Sequence, residues 1–497
     1  MSAYHVPEST GFGNLSTVTA VEEFLAHNEE HPRSFEIYEI ELAALMRAVE
    51  CELKAAELAR YDVDSDAIVV DGTEYRRCLT AEPRTYSSSS GSLSVRRNLF
   101  RSRRGGKAIC PMEFRAGIVF GCTPVLARQV LFLMGHMTSD ETAVAFDEMG
   151  VAGPSASTCD RLPKKAFGKV WEQHREEWEG ELRSMETVPS DALVLACSLD
   201  GVMVPDKDGQ RAAKCARDDA KKRGIRKQAC GPAGYREVGC GTVTLYAPPQ
   251  DPASKVPEQR SPQRLETIRY GRAPEYKKKT LTEQLNAEVQ AILGPRPNLT
   301  LVALADGAEE NWRYFDGPMW EHACKIVDHG HACQHLKDAM AASHDDKIEG
   351  RAEYEKFRLI LRDKPGGIQQ VIAELDRLDR RLRRNNHPRR RKRLAKERTY
   401  FRNQRDRMDY ARYQELGLPI GSGVVEAACK TLATQRLKRS GMSWGRGMQS
   451  ILTIRSLQQS GRWKNGWALL AASFRRDVSR VTQHGQLRSI SLLQDAA

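Results

Sequence analysis

Two apolar runs in this chain end on the same dipeptide. ALVLACSLDG starts at Ala192 and reaches Asp200 and Gly201, and NLTLVALADG starts at Asn298 and reaches Asp306 and Gly307. Each run has the length and apolar content of a buried strand. CGTVTLYAP from Cys240, LETIRYGR from Leu265 and a short segment ending near Asp328 read as further strands, with helical stretches between and after them. An α/β domain is the expectation. Aspartate is poor inside a strand and costly inside a core, so each strand is expected to end on its aspartate and present it in a crevice. Two Asp-Gly turns would be the plainer explanation. The repetition after two deep apolar runs favours a shared site.

A third carboxylate lies in PIGSGVVEAACKTLATQRLKRSGMSW, Pro419 to Trp444, which reads as a Gly-rich turn and an amphipathic helix. Glu426 stands there among Val424, Val425, Ala427 and Ala428. With Gly423 as N-cap it would be the third helical residue, where the helix dipole alone favours a carboxylate. Gly421 and Gly423 suit a tight entry to the helix. Brought together, Asp200, Asp306 and Glu426 would repel one another unless divalent cations held them ionised. Oxygen ligands favour Mg²⁺, with Mn²⁺ as a substitute, over zinc. Two such ions about 3.5–4 Å apart clamp the attacking and leaving oxygens of a phosphodiester.

Charge points to a polyanionic partner. The chain carries 77 Lys and Arg against 65 Asp and Glu, a net +12. The stretch RLRRNNHPRRRKRLAKER, Arg381 to Arg398, has ten basic residues and one acid, Glu397. A solvated helix face is the bland reading, and phosphate contact through Arg389, Arg390, Arg391, Lys392 and Arg393 the sharper one. Arg436, Lys438 and Arg439, after Glu426, would meet DNA phosphates near the scissile bond. Trp444 and Trp463 suit base stacking or, more ordinarily, the core. Just before the basic run, Ile368, Val371, Ile372, Leu375, Leu378 and Leu382 form a one-sided helical stripe, the mark of helix pairing.

Other classes are disfavoured. No apolar run is long enough to span a membrane, and MSAYHVPESTGFGNLS lacks a secretory signal pattern. The 12 cysteines form no CxxC pair, against a zinc ribbon or a secreted disulfide scaffold and in favour of reduced thiols. His331 and His335, one turn apart near Cys324, Asp328 and Cys333, have metal-chelating spacing, but ACQ between them lacks the glutamate of an HExxH protease.

The N-terminal part reads as loosely ordered over 1–33, then one helix from Ser34, its N-cap, to Tyr61. Extended pieces follow near Ala67–Val70 and Glu74–Arg77, with a hairpin from Thr85 turning at SSSSG. From Pro124 the pattern is helical, with Thr138, Ser139, Ser155 and Ser157 as cap candidates. Helix-turn-helix spacing and the basic residues Arg161, Lys164, Lys165 and Lys169 make this a candidate DNA reader. Asp206 to Gly231, charged and Gly-rich, is expected to be a surface excursion.

SLDG, ADGA, DHGHACQHL, RMDYARY, LPIGSGVVEAACKTL and QRLKRSGMSW occur in that order. With DRLPKKAFG upstream, they resemble the DDE transposases of the bacterial ISKra-type insertion sequences, over about Gly72 to Trp467 and most strongly from Leu418 to Trp444. The resemblance implies an RNase H-like core, a mixed sheet flanked by helices, interrupted by an all-helical insertion. The resemblance implies a catalytic domain over 191–338 and 412–480 with the basic helical insertion 339–411 between; the residue patterns add 1–120 (helix plus small β-containing module), 121–190 (helix-turn-helix-like) and 481–497 (tail). It implies Asp200, Asp306 and Glu426 as catalytic metal ligands. Asp328 and His331 match a D-x-x-H signature that supports the active site, here with His329 and Gly330 where the family pattern has aromatic residues. The implied activity is Mg²⁺-dependent cleavage at the element's terminal inverted repeats and joining of the 3′-hydroxyls to target DNA. The resemblance implies no covalent intermediate and a homo-oligomer working on double-stranded DNA in the bacterial cytoplasm. Competing readings are a metal-dependent nuclease without strand transfer, a transposase-derived DNA-binding protein without catalysis, and a protein acting on RNA.

Overall fold

The computed structural model describes residues 17–30, 34–209, 211, 214, 218, 222, 234–251, 257–481 and 486–490. The chain divides into two compact units, Met1–Val170 with Trp467–Ala497, and Trp171–Gly466.

In the first unit, Ser34 caps the long helix Phe35–Arg60 by accepting from the Ile37 amide. A helix, Thr17–Glu30, precedes it where loose order was expected. Phe24 and Val21 pack on Tyr38, Leu42, Leu45 and Val49, and that apolar face is what orders the segment. Strands β1 (Ala67–Val70), β2 (Thr73–Ser88) and β3 (Gly91–Ser102) form an antiparallel meander, with the β2–β3 hairpin turning within the expected serine run. Two C-terminal strands, Val478–Val481 and Leu487–Ser489, extend this sheet from β1. The expected tail at 481–497 therefore begins inside a strand, and 467–480 belongs with the N-terminal unit rather than the catalytic segment. The unpaired edge of β1 and the buried Val478, which joins Val63, Ile68, Val70 and Phe100, account for it. The expected helices are Pro124–Met134, Ser139–Glu148 and Ala156–Lys165. Thr138 and Glu141 form a reciprocal capping box, and Ser155 caps the third helix. Three of the four basic residues are engaged within the unit, Arg161 with the Ser157 carbonyl at 3.3 Å and Thr158 Oγ1 at 3.2 Å, Lys164 with Asp160 at 2.5 Å and Lys165 over the Phe120 ring.

The second unit is a mixed α/β layer. Its sheet has the order β6-β5-β4-β7-β8, with β4 (Val194–Pro205), β5 (Tyr235–Ala247), β6 (Gln263–Arg272), β7 (Thr300–Ala305) and β8 (Cys324–Val327). β6, β5 and β4 are antiparallel, whereas β4, β7 and β8 are parallel. Helices cover both faces. A Cβ on Gly241 would lie 2.7 Å from Leu285 of the Lys279–Leu293 helix. Gly271, which pairs with Cys240 and so faces the other way, leaves 3.1 Å to Leu452 of the Met448–Gln459 helix. Glycine permits both close approaches.

The expected helical insertion is present as Lys347–Asp363, Gly367–Arg384 and Pro388–Gln404. Its stripe is buried at Ile368, Val371, Leu375, Leu378 and Leu382. These residues share one continuous core with the sheet, so the insertion is not a separate domain. The expected excursion at Asp206–Gly231 falls mostly outside the described residues. No disulfide joins the described cysteines, and no described helix is long and apolar enough to cross a membrane.

One buried acid makes stability depend on pH. Burial raises the pKa of Glu179 to about 7, against partial opposition from Arg175 and a hydrogen bond from Gln284. Between its ordinary value near 4.5 and about 7, the folded chain holds a proton that the unfolded chain has released. Stability therefore falls as pH rises through that window, and the full penalty is present above it. Gln284 Oε1 has no hydrogen-bond partner, and a Gln at position 179 offers it an N–H. Glu179→Gln is expected to stabilise by about 1–3 kcal/mol at pH 8 and by far less near pH 5. Melting temperatures of both proteins at the two pH values check it.

Candidate carboxylate site

β7 ends at Ala305, as expected, and Asp306 follows it. β4 does not end at Asp200. It runs on to Pro205, because β5 continues to pair with it through Gly201↔Gly239 and Val202↔Val238. Asp200 instead marks the point where β4 loses its parallel neighbour. Leu199 is in register with Ala305, and Ala305 with Val327. The next residues outward are Asp200, Asp306 and Asp328, so three adjacent parallel strands carry an aspartate at one register position. A row of acids outside the carboxyl ends of parallel strands lies where open α/β sheets place their ligands.

Each aspartate is held differently. Asp200 is half-buried; its Oδ1 accepts from the Gly201 amide at 2.7 Å and its Oδ2 from the Cys429 thiol at 3.5 Å. A hydrogen bond with Cys240, burial and the Asp200 charge all push the Cys429 pKa up, so it stays a thiol donor. Asp306 Oδ1 accepts from the Ala308 amide at 3.0 Å and from Asn311 Nδ2 at 2.9 Å. Asn311 also reaches the Leu199 carbonyl at 3.3 Å and so ties the second aspartate to the strand of the first. Trp312 Nε1 donates to the Asp306 carbonyl at 2.8 Å. Neither Asp200 nor Asp306 forms an ion pair among the described residues.

Asp328 is buried and works as a clip. It caps the His329–Ser343 helix by accepting from the His331 amide at 2.6 Å, and its other oxygen accepts from the Ser422 amide. The His329 amide donates to the Ile420 carbonyl at 2.9 Å. The start of the histidine helix is thus fastened to the loop that leads to Glu426. That loop enters the helix Gly423–Ala428 with Ser422, not Gly423, at the cap, so Glu426 is the fourth helical residue. Val425 and Ala428 are buried, and Glu426 points outward with its side chain half exposed. It lies 3.4 Å from His331 Nε2 and 3.3 Å from Ser422 Oγ.

Ligand atoms of Asp328, His331 and Glu426 all fall within 4.8 Å of one another, the one group of metal-binding geometry among the described residues. Asp200 and Asp306 are not part of it. Asp200 meets the segment that carries Glu426 through Cys429, three residues after Glu426, whose thiol lies 3.5 Å from Asp200 Oδ2. The histidine pair does not act together: His335 Nδ1 is 2.6 Å from Glu397 and its ring stacks on Tyr400, whereas His331 faces Glu426. His329 is driven by burial to a pKa of about 4 and contacts Cys333.

The basic residues sort into two sets. Arg390 pairs with Asp345, Arg391 with Asp379, Arg398 with Asp376 and Asp379, and Arg402 with Asp376. These cations, Arg390 and Arg391 among them, hold the insertion helices together. Arg389, Lys392, Arg393 and Lys396 are exposed with no side-chain partner among the described residues, as are Arg380, Arg383 and Arg384. Arg436 departs from expectation. It is 3% exposed, with its guanidinium 5.1 Å from the centre of the Trp444 ring. Trp444 is itself tied to the Leu437 carbonyl at 2.9 Å. Lys438 and Arg439 are exposed.

Asn311, Cys429, Ser422 and Tyr400 were not anticipated as site residues. Only Cys429 had a legible signal, its one-turn spacing from Glu426. Comparison with protein families, with curated proteins and with solved structures returns no match.

Proposed function

We propose that this chain is a DDE-type DNA transposase with an RNase H-like core, in which Asp200, Asp306 and Glu426 are the catalytic carboxylates. The observation that carries the reading is the aspartate row, whose first two members have no cationic partner, beside the helix bearing Glu426. Unpaired acids at one sheet edge repel one another, and a bound cation relieves that repulsion. The donors are hard oxygens, and Asp306 Oδ2 accepts no hydrogen bond from the described residues, which fits Mg²⁺ or Mn²⁺ held by Asp200, Asp306 and Glu426. When bound, such ions would polarise the scissile phosphate and ease deprotonation of the attacking water or 3′-hydroxyl. Asn311 and Trp312 fix Asp306, Cys429 fixes Asp200, and the Asp328 clip fixes the loop before Glu426. The exposed cations of the insertion would hold the DNA backbone. In this scheme the protein supplies no covalent nucleophile. It cuts at the terminal inverted repeats of its own element and, as a homo-oligomer, joins the freed 3′-hydroxyls to target DNA.

The test is incubation of the purified full chain with Mg²⁺ or Mn²⁺, a plasmid carrying the DNA that flanks its own gene, and a second target plasmid. Metal-dependent cuts at the ends and joined products are expected. Cuts without joining would make the protein a nuclease, and binding without cuts a DNA-binding protein.

A further inference from the structure

The backbone around Asp306 is held from two sides. Trp312 donates to its carbonyl at 2.8 Å, and Tyr400 of the insertion lies directly on Gly307, where a Cβ would collide with the ring. The carboxylate itself depends on Asn311, which is only 3% exposed. Asn311 Nδ2 donates to Asp306 Oδ1 at 2.9 Å and to the Leu199 carbonyl at 3.3 Å, and its Oδ1 accepts from Lys278 Nζ at 3.3 Å. Two acceptors on one side of the amide and an ammonium, which only donates, on the other admit a single orientation of that side chain.

Lys278 reaches Asn311 by an uncommon route. It caps the helix Lys279–Leu293 and is buried, with 9% of its side chain exposed. Lys277 and Lys278 both have left-handed backbone, with φ of 54° and 52°, a conformation that few residues other than glycine adopt. Such strain persists only where the surroundings enforce it, and it gathers at functional sites. Glu275 fastens this turn by accepting from the Leu281 amide at 2.9 Å. The ion pair of Lys278 with Glu237, at 3.0 Å, does not account for the burial, because Glu237 has 41% of its side chain exposed and a lysine could meet it at the surface. The turn instead carries the ammonium inward to Asn311. Glu237 in turn lies over Gly201, the residue after Asp200, where a Cβ would collide with its carboxylate. One cation is therefore tied to a residue packed beside the first aspartate and to the amide that holds the second.

We propose that Lys278 is a positioning residue for the carboxylate site: it fixes Asn311, and through it the Asp306 carboxylate, leaving Oδ2 free for a divalent cation. The inference rests on the transposase reading for the cation that Asp306 binds. No bond to Lys278 is made or broken.

Mn²⁺ binding to the DNA-free full chain, read by electron paramagnetic resonance, is compared for wild type, Lys278→Met, Asn311→Ala and the double variant. Melting temperature and Mn²⁺-dependent nicking of the plasmid carrying the gene's flanking DNA are measured beside it. Methionine keeps the length of the side chain and removes its charge. Loss of a positive charge alone would draw a cation in more tightly, so weaker binding is the mark of lost orientation. Mn²⁺ affinity and nicking should each fall about 10-fold in Lys278→Met, the scale of losing a partner that orients a metal ligand, with melting temperature nearly unchanged. The double variant should bind Mn²⁺ no worse than Asn311→Ala, because Lys278 acts through that residue. Equal or tighter Mn²⁺ binding by Lys278→Met overturns the proposal, as do additive losses in the double variant or a loss matched by a lower melting temperature. A wild type that binds Mn²⁺ and the plasmid but never nicks it overturns the transposase reading, while the Mn²⁺ titrations still decide the role of Lys278. A wild type that binds no Mn²⁺ overturns both.

Discussion

Glu426→Gln is expected to lose metal-dependent cleavage by at least about 1,000-fold while folding and binding DNA as the wild type does. The swap keeps size and removes the charge. Glu426 is half exposed, and among the described residues its carboxylate has polar contacts with His331 and Ser422, so little packing depends on it. Asp306→Asn should behave alike. His331→Ala should cost less, about 10- to 100-fold, the usual loss when a group that orients a metal ligand is removed. Cleavage rates of the three variants, alongside their melting temperatures, separate the roles. If Glu426→Gln cuts as fast as wild type, Glu426 is a helix-start residue and partner of His331, and the assignment of Asp200, Asp306 and Glu426 as one catalytic set collapses.

The second large effect concerns the insertion. Alanine at Arg389, Lys392, Arg393 and Lys396 together removes four exposed cations that have no side-chain partner among the described residues. DNA affinity should fall about 100- to 1,000-fold at moderate salt, and the slope of log affinity against log salt should flatten by about 3 to 4, near 0.9 per lost phosphate contact. Arg398→Ala should do the opposite. Arg398 bonds Asp376 at 2.7 Å and Asp379 at 3.1 Å with only 19% of its side chain exposed. Its loss should cost about 1–3 kcal/mol of stability and leave the salt slope unchanged. Anisotropy titrations of a labelled duplex across a salt series, with thermal melts, check both. An unchanged slope for the quadruple variant would remove the insertion from the DNA path.

Features that depend on neighbouring residues were legible in the sequence. The Ser34 cap, the hairpin turn in the serine run, the Thr138 cap and the stripe from Ile368 to Leu382 each follow from local geometry or a 3.6-residue period. Asp306 at the end of its strand was legible for the same reason. Asp200 was misplaced because a strand ends where its partners end, and β5 lies dozens of residues away. The basic run shows the same limit. Composition announced a cationic face, but which arginines were free depended on where Asp345, Asp376 and Asp379 fell in the folded bundle.

By itself, then, the sequence determined the elements and the chemical inventory: buried strands carrying Asp200 and Asp306, a helix carrying Glu426, an amphipathic insertion and an excess of positive charge. Periodicity and residue type act over a few residues, and they suffice for that. Tertiary structure alone decided that Asp328 joins the aspartate row, that Asn311 and Cys429 brace it, that Arg436 is buried against Trp444, and that Tyr400 brings the insertion to Gly307. Strand register and side-chain burial arise from contacts between segments far apart in the chain, and no local pattern encodes them.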